Sequence, residues 1–210
     1  MIKFDRVLVL APHTDDGELG CGGSIAKFLE QGKEVWYAAF SLCRRSLGEG
    51  LAPDTLEIEV KAATKVLGIK PEHLKLYDYD VRHFSTFRQD ILEDMVKLKR
   101  EVNPNLVLTP CSSDLHQDHQ VIYNETMRAF KESSILGYEL PWNNVDIKTN
   151  CFIVLQEQHV RRKVEALVEY KSQAGRKYCS ENFLRSLATA RGVQAGTDYA
   201  EAFEVLKVVA

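Results

Sequence analysis

Apolar residues in this chain follow two alternating patterns, short continuous runs and longer runs with apolar residues three or four positions apart. The first continuous run, Arg6–Pro12, is rich in branched residues and ends where polar residues begin. Such a run is typical of a strand buried on both faces of a parallel sheet. In the next segment Ile25, Phe28 and Leu29 recur at helical spacing. Gly32 stands where a C-terminal cap is expected, so this segment is predicted to be a helix.

The alternation of strand and helix continues along the chain. Further strands are predicted at Val35–Phe40, His73–Tyr79 and Leu106–Pro110, and further helices at Thr55–Val66, Phe87–Glu101 and His119–Lys131. Beyond Ser133 the order is looser, with strands predicted at Cys151–Leu155 and Phe203–Val209 and a helix at Val160–Lys171. Such alternation favours an α/β fold, a Rossmann-like, open, mostly parallel sheet with helices on both faces. No repeat or flexible linker interrupts the pattern, so residues 1–210 are predicted to form a single domain.

Composition narrows the possible partners. The 27 basic and 30 acidic residues give a formal charge of -3, and no long run of Lys or Arg is present, which argues against a nucleic-acid surface. No apolar run is long enough for a membrane helix, and the first apolar stretch is too short for a signal peptide. The five scattered cysteines contain no C-x-x-C pair, as expected for free thiols. We therefore expect a cytoplasmic protein that binds small molecules, or copies of itself as a homo-oligomer.

Metal-ligand residue types are concentrated in the two loops that follow the first strand and the Leu106–Pro110 strand. In open α/β sheets the ligand crevice lies at the carboxyl ends of the strands. The two loops contain His13, Asp15, Asp16 and Glu18, and Asp114, His116, Asp118 and His119. Imidazole nitrogen together with carboxylate oxygen suits Zn²⁺, with Fe²⁺ as another divalent ion, and catalytic zinc sites use three protein ligands and one open position. The residue types therefore predict a catalytic metal site.

A dinucleotide-binding loop is an alternative use of the first turn, because Gly20, Gly22 and Gly23 lie between a strand and a helix. The G-x-G-x-x-G pattern would need a glycine where Ile25 stands. The acidic residue expected after the second strand is also absent, since Phe40 is followed by Ser and Leu. We therefore interpret the glycines as allowing a tight turn and close helix packing.

The motifs in these loops resemble those of a known enzyme family. The run APHTDDGELGCGGSIAKF is similar to the signature P-H-P-D-D-E-x-L-G-C-G-G of the LmbE-like, or PIG-L, zinc-dependent N-deacetylases, and SSDLHQDH resembles their second motif, D-x-H-x-D-H. The later segments LVEYKSQ and RGVQAGTDYAEAF are also similar, so the resemblance covers nearly the whole chain. Two positions depart from the signature: Thr14 replaces a usual Pro, and Gly17 a usual Glu.

The resemblance implies a role for each motif residue. His13, Asp16 and His119 correspond to the zinc ligands, and Asp15 to the general base that acts on a zinc-bound water. His116 corresponds to the donor that stabilises the oxyanion. The implied reaction is removal of acetyl from an N-acetylated amino sugar, such as N-acetylglucosamine, or from a conjugate of one.

Three further residues are assigned from chemistry and position. We expect Asp118 to orient the His116 imidazole, hold it charged and raise its pKa. Arg44 and Arg45 follow the second strand and are candidates either for substrate binding or for a solvated loop. The sequence leaves two alternatives to deacetylation open. They are a metallophosphoesterase and a noncatalytic module that binds a metal or a sugar nucleotide.

Overall fold

A single mixed sheet forms the centre of the computed structural model, which describes residues 4–144, 146 and 148–210. Its strands are β1 Arg6–His13, β2 Glu34–Ser41, β3 Leu74–Leu76, β4 Leu106–Pro110, β5 Ser134–Tyr138, β6 Cys151–Leu155 and β7 Tyr199–Lys207. Their order across the sheet is β3-β2-β1-β4-β5-β7-β6. The pairs from β3 to β5 are parallel, whereas β7 is antiparallel to both β5 and β6.

Helices cover both faces of this sheet. They are α1 Asp16–Glu30, α2 Thr55–Leu67, α3 Arg88–Val102, α4 Gln117–Ala129, α5 Glu157–Val168 and α6 Glu181–Ala195. Successive side chains of a strand point to opposite faces, and β1 shows this clearly. Val7 and Val9 pack in the cluster that contains the apolar sides of α1, α2 and α5. Leu8 and Leu10 pack in the cluster formed with α3 and α4. The predicted α/β fold is therefore confirmed as a three-layer, mostly parallel arrangement.

Helix α1 starts earlier than the apolar spacing indicates, directly after the β1 turn. The backbone is non-helical at Cys21 (φ -145°, ψ 23°), where the helix is kinked. A kink leaves amide groups without their partners in the preceding turn. The buried carboxylate of Glu201 accepts hydrogen bonds from two of them, the N–H groups of Gly23 (3.0 Å) and Ser24 (2.7 Å). Strand β7 thus stabilises the glycine-rich part of the motif.

The glycines of this motif serve close packing, as predicted. A Cβ at Gly20 would lie 2.3 Å from the ring of Tyr138, and one at Gly23 would lie 2.6 Å from Leu155. Atoms cannot approach so closely without displacement of the helix from the sheet. The observed glycines therefore let α1 lie directly on β5 and β6.

The elements predicted from apolar spacing are all present. Strands β4 and β6 have the predicted bounds, and the other elements have shifted ends. Among the strands and α-helices of the described residues, β5 and α6 were not predicted. The α3 helix begins one residue later than expected, and β3 is limited to three residues. Within the described part of the chain, none of the helices combines the length and the apolar character that a membrane span requires.

Candidate active site

The two motif loops meet at the centre of the sheet. Strand β1 ends at His13, and its neighbour β4 ends at Pro110, just before the second loop. The chain runs outward in opposite directions from this pair, to β2 and β3 on one side and to β5 on the other. Such a reversal point is where open α/β sheets leave a crevice at the carboxyl ends of the strands. The fold therefore brings residues 105 positions apart into one site.

Three side-chain atoms converge in this crevice. His13 Nδ1 lies 3.0 Å from Asp16 Oδ2, and His119 Nε2 lies 3.2 Å from the same oxygen. The two imidazole nitrogens are 3.3 Å apart. His116 is close as well, since His13, His116 and His119 can each offer a nitrogen within 4.8 Å of the others. Two imidazoles and a carboxylate with their ligand atoms together are a donor set that suits zinc or another divalent transition metal.

The outer nitrogen of each converging histidine contacts a buried carboxylate. Asp118 Oδ2 lies 3.1 Å from His13 Nε2, and Asp114 Oδ2 lies 2.7 Å from His119 Nδ1. When these outer nitrogens donate a proton to the carboxylates, the inner nitrogens are left with lone pairs that face one another. This pattern of outer carboxylates is the usual support for metal-binding histidines, because it fixes the ring orientation and the tautomer.

The electrostatics of the cluster match a cation site. Burial alone would raise the pKa of Asp16, but His119 and His13 outweigh it and hold that pKa well below its usual range. Burial lowers the pKa of His119, but Asp16 and Asp114 outweigh it and raise that pKa to about 10. Positive charge in the cluster is therefore favoured. A metal ion would have to displace protons from the imidazoles, so binding should release protons.

Asp15 lies beside this cluster and is partly exposed to the cavity. Burial and the neighbouring negative charge of Asp16 raise the pKa of Asp15 to about 6, while His13 and Arg176 oppose the shift. A carboxylate with a pKa near neutrality can both accept and return a proton at working pH. Its position and its pKa are consistent with the role of general base.

His116 differs from the sequence-based expectation. Its Nδ1 accepts a hydrogen bond from the backbone N–H of Asp118 (3.2 Å), so the remaining ring proton belongs on Nε2. Burial, followed by the nearby His119 and His13, lowers the pKa of His116 to about 4. The expected raised pKa is therefore wrong. The charge of Asp118 does raise the pKa of His116, but burial and the two histidines outweigh it. The Asp118 carboxylate bonds to His13 and to the backbone N–H of Arg82, and it does not bond to the His116 ring.

A cavity of about 250 Å³ opens over these residues. Its lining includes residues of the two motif loops, among them His13, Asp15, Asp16, His116 and His119. It also includes residues that the sequence did not indicate, here called the far wall: Arg82, Trp142, Asn143, Arg176 and Tyr178. Trp142 and Tyr178 stack in parallel, with ring centroids 4.1 Å apart. No motif or periodicity marks this wall, because it is assembled from separate loops that meet only in the folded chain.

Arg44 and Arg45, the candidate substrate-binding residues, lie outside the lining of this cavity. Arg44 forms ion pairs with Asp78 (2.8 Å) and Glu57 (3.1 Å). Arg45 pairs with Asp80 (2.9 Å) and its side chain is 67% exposed. The structure therefore does not bring these two residues together with the motif residues, and their geometry fits the solvated loop instead.

A buried polar network lies beneath the motif loop. The Glu18 carboxyl group contacts the hydroxyl groups of Tyr37 and Tyr170, and both hydroxyls also lie within hydrogen-bond distance of the Thr14 carbonyl, at 2.9 and 2.7 Å. Burial raises the pKa of Glu18 to about 8. A Cβ at Gly17 would lie 2.5 Å from the Tyr37 ring, which explains why glycine occupies this position. The network holds the backbone that carries Asp15 and Asp16.

Two known proteins with similar sequences are deacetylases by name. The chain is 31% identical over 174 residues to an uncharacterized deacetylase, YaiS, of Escherichia coli, covering 81% of this chain and 92% of that protein. It is 28% identical over 180 residues to a probable N-acetyl-alpha-D-glucosaminyl L-malate deacetylase 2 of Bacillus cereus, covering 80% of each chain.

The fold is also similar to a solved structure, N,N'-diacetylchitobiose deacetylase from Pyrococcus horikoshii in complex with an inhibitor. The TM-score is 0.78 at 21% identity, over 97% of this chain and 84% of that one. At this identity the similarity supports the fold alone. Residues 8–130, which include both motif loops, match the family described as PIG-L, GlcNAc-PI de-N-acetylase. The chain belongs to the PIG-L family.

Proposed function

We propose that this protein is a metal-dependent hydrolase that removes acetyl from an N-acetylated amino sugar or from a conjugate of one. The observation that carries the proposal is the convergence of His13, Asp16 and His119 beside Asp15 in one cavity. A noncatalytic binding module needs no carboxylate with a pKa near 6 at the metal site, whereas an amide hydrolase needs a base there.

The donor set fits Zn²⁺, with Fe²⁺ as the other candidate, because it contains two imidazoles and one carboxylate, each histidine oriented by its own carboxylate partner. His13, Asp16 and His119 would hold the ion. When bound, such an ion polarises a carbonyl and lowers the pKa of water. His116 is left free for another role, because its Nε2 carries a proton that it can donate.

The protein's own side chains then account for the proton transfers of amide hydrolysis. Asp15 accepts a proton from the water that attacks the acetyl carbonyl carbon. The neutral His116 ring donates its Nε2 hydrogen bond to the oxygen that becomes negative. When the C–N bond breaks, Asp15 returns its proton to the leaving nitrogen, so the products are acetate and a free amine. Asp118 acts through His13, whose ring it orients.

The family supports a substrate that contains N-acetylglucosamine. The family description names GlcNAc-PI, a conjugate of N-acetylglucosamine. The name of the Bacillus cereus relative contains a second conjugate, N-acetyl-alpha-D-glucosaminyl L-malate. The two conjugates share the N-acetylated sugar and differ in the attached group. We infer that the sugar is recognised next to the motif loops and the attached group at the far wall. We further infer a single domain, since the seven strands of the described residues belong to one sheet. Cytoplasmic location and self-association stay predictions.

The direct test is acetate release from a panel of N-acetylated sugars and their conjugates by the metal-loaded protein. We expect release from at least one N-acetylglucosamine conjugate, and loss of release after removal of the metal by a chelator. Arg45→Gln, at a paired surface position outside the cavity, is the matched control and should retain activity. If the metal-loaded protein hydrolysed a phosphate ester and none of the acetamides, the proposed reaction would be wrong.

A further inference from the structure

We propose that Leu19, Cys43 and Leu56 form a pocket for the methyl end of the acyl group and limit the hydrolysed acyl chain to acetyl. The inference rests on the proposed function and names the acyl group that the site takes. All three residues line the cavity that contains Asp15 and His116. None of them belongs to the metal-binding or proton-transfer groups. They are called the acyl pocket below.

The cavity has a closed apolar end and an open mouth. Leu19, Cys43 and Leu56 are nearly fully buried, with exposed fractions of 4%, 7% and 5%. All three belong to the same cluster of the hydrophobic core. Trp142 and Arg176, in contrast, are exposed members of the same lining. The acyl pocket is therefore backed by packed core, whereas the far wall borders solvent.

Two residues of the acyl pocket are fixed close to the proposed base, Asp15. Leu19 lies one turn of α1 further on, and its N–H donates a hydrogen bond to the Asp15 carbonyl (3.0 Å). The Cys43 N–H donates to Ser41 Oγ (3.0 Å), and Ser41 is the β2 residue in register with His13. Burial, followed by the nearby charge of Asp15, raises the pKa of the Cys43 thiol to about 12. The thiol therefore stays neutral and offers an apolar surface beside the base.

Leu56, in the first turn of α2, is held beside Cys43 by the intervening segment. The residue after Cys43 is Arg44. Its guanidinium donates to the Pro53 carbonyl (2.6 Å) and to the Glu57 carboxylate (3.1 Å). These two partners lie on either side of Leu56 in the sequence. The hydrogen bonds of Arg44 therefore hold the start of α2 against the turn that contains Cys43.

The geometry of the proposed reaction directs the acyl methyl group toward this pocket. The carbonyl carbon of an acetamide carries oxygen, nitrogen and the methyl group in one plane, pointing in three directions. The oxygen faces His116, which follows β4, and the nitrogen carries the sugar, which needs the open mouth. Cys43 follows β2, and β2 and β4 lie on opposite sides of β1. The methyl group is left facing the closed end, where a longer chain would overlap packed side chains.

The test uses an N-acetylglucosamine conjugate from which wild type releases acetate, with the acetyl group replaced by propionyl or butyryl. For the metal-loaded wild type we expect kcat/KM to fall by about 10-fold or more for each added methylene, the usual discrimination of a packed apolar pocket. Leu56→Ala enlarges the pocket and should lower the acetyl-to-butyryl ratio by about 10-fold or more. Leu56→Val removes less volume, so it should lower the ratio by less, and it provides the test if Leu56→Ala fails to fold.

Ile58→Ala is the matched control, because Ile58 belongs to the same helix, is 59% exposed and lies outside the cavity lining. It should leave the ratio unchanged. Equal kcat/KM for the three acyl groups in wild type would overturn the acyl pocket. An acetyl-to-butyryl ratio that stayed at the wild-type value in folded, metal-loaded Leu56→Ala would overturn it as well.

Binding of the carboxylate products separates failure of this inference from failure of the proposed function. Calorimetry would follow binding of acetate, propionate and butyrate to metal-loaded wild type, to both Leu56 variants and to Ile58→Ala. We expect wild type to bind acetate more tightly than butyrate, and Leu56→Ala to shift this preference by about 10-fold toward butyrate. If acetate were released but neither the kcat/KM ratio nor the carboxylate preference changed in the Leu56 variants, the acyl pocket would be wrong while deacetylation stood. If no conjugate were cleaved but the carboxylate preference changed as expected, the proposed reaction would fail alone.

Discussion

At the scale of single residues, the proposed site divides into groups that would hold a cation and groups that would move protons. The motif spacing predicted which residues would be present, and the structure brings His13, Asp16 and His119 together. The motif spacing could not predict which imidazole nitrogen contacts which carboxylate, because these contacts depend on the position of the end of β1 relative to the first turn of α4. The sequence therefore suggested Asp118 as a partner of His116, whereas its carboxylate contacts His13.

The pH dependence of deacetylation should report Asp15. Its pKa is raised to about 6 by burial and Asp16, and it acts as a base only when deprotonated. The value of kcat/KM should therefore rise with pH on an acid limb near or below pH 6, since a bound cation adds positive charge. Arg176→Gln removes a positive charge and should move this limb to higher pH. An acid limb unchanged by that substitution would argue against Asp15 as the titrating base.

His116→Ala should lower kcat by about 10²- to 10³-fold, the usual cost of removing one oxyanion donor. Because burial and the neighbouring histidines lower the pKa of His116 to about 4, the ring is already neutral in the working range. Its loss should therefore not change any alkaline limb of the pH profile. Metal content should stay at the wild-type value. Loss of the metal from His116→Ala would instead make this histidine a ligand, as its closeness to His13 and His119 allows.

At the scale of secondary-structure elements, strongly patterned segments were predictable and weakly patterned ones were not. Strands β1 and β2 are continuous apolar runs, and α2 and α3 have clear apolar spacing. Strand β5 was missed because its five residues include Ser134 and Gly137. Helix α6 was missed because its buried side is narrow and contains small residues. The antiparallel insertion of β7 between β5 and β6 is a long-range pairing that no local pattern encodes.

The network beneath the start of α1 predicts how stability changes with pH. Burial raises the pKa of Glu18 from 4.5 to about 8, so between these values the folded chain retains a proton that the unfolded chain releases. The free energy of unfolding should therefore fall as pH rises through this window. Glu18→Gln stays neutral and should gain stability relative to wild type between pH 5 and pH 8, on the order of a few kcal/mol. Chemical denaturation of wild type and Glu18→Gln at pH 5 and at pH 8 tests this prediction. If the two proteins differed in free energy of unfolding by the same amount at both pH values, the raised pKa would be contradicted.

At the scale of the whole molecule, the site is an assembly of two parts that are distant in the sequence. The metal end comes from the loops after β1 and β4, which adjacent parallel strands bring together. The far wall comes from three loops: Arg82 follows β3, Trp142 and Asn143 follow β5, and Arg176 and Tyr178 follow α5. The first part was predictable because a known rule places ligands at the carboxyl ends of strands. The second was not, because its position depends on the packing of loops with no sequence motif.

The assembly also predicts which substitutions remove the metal. His13→Ala, Asp16→Ala and His119→Ala should each abolish stoichiometric binding, since three ligands from two rigid strand ends form the site. Asp114→Asn and Asp118→Asn should weaken metal affinity by about 10- to 100-fold without abolishing binding, because these carboxylates orient ligands. Elemental analysis and competition with a chelator measure both effects. Equal metal content in all five variants would show that the ion is held elsewhere.

The most direct test of the proposed mechanism is the Asp15→Asn variant, with metal content and acetate release measured on the same sample. Asn keeps the size of the side chain but cannot accept the proton, so the variant should bind about one divalent ion per chain, as wild type does. Acetate release from an N-acetylglucosamine conjugate should fall by about 100-fold or more. Near-normal turnover by the fully metal-loaded variant would contradict the assignment of Asp15 as the base.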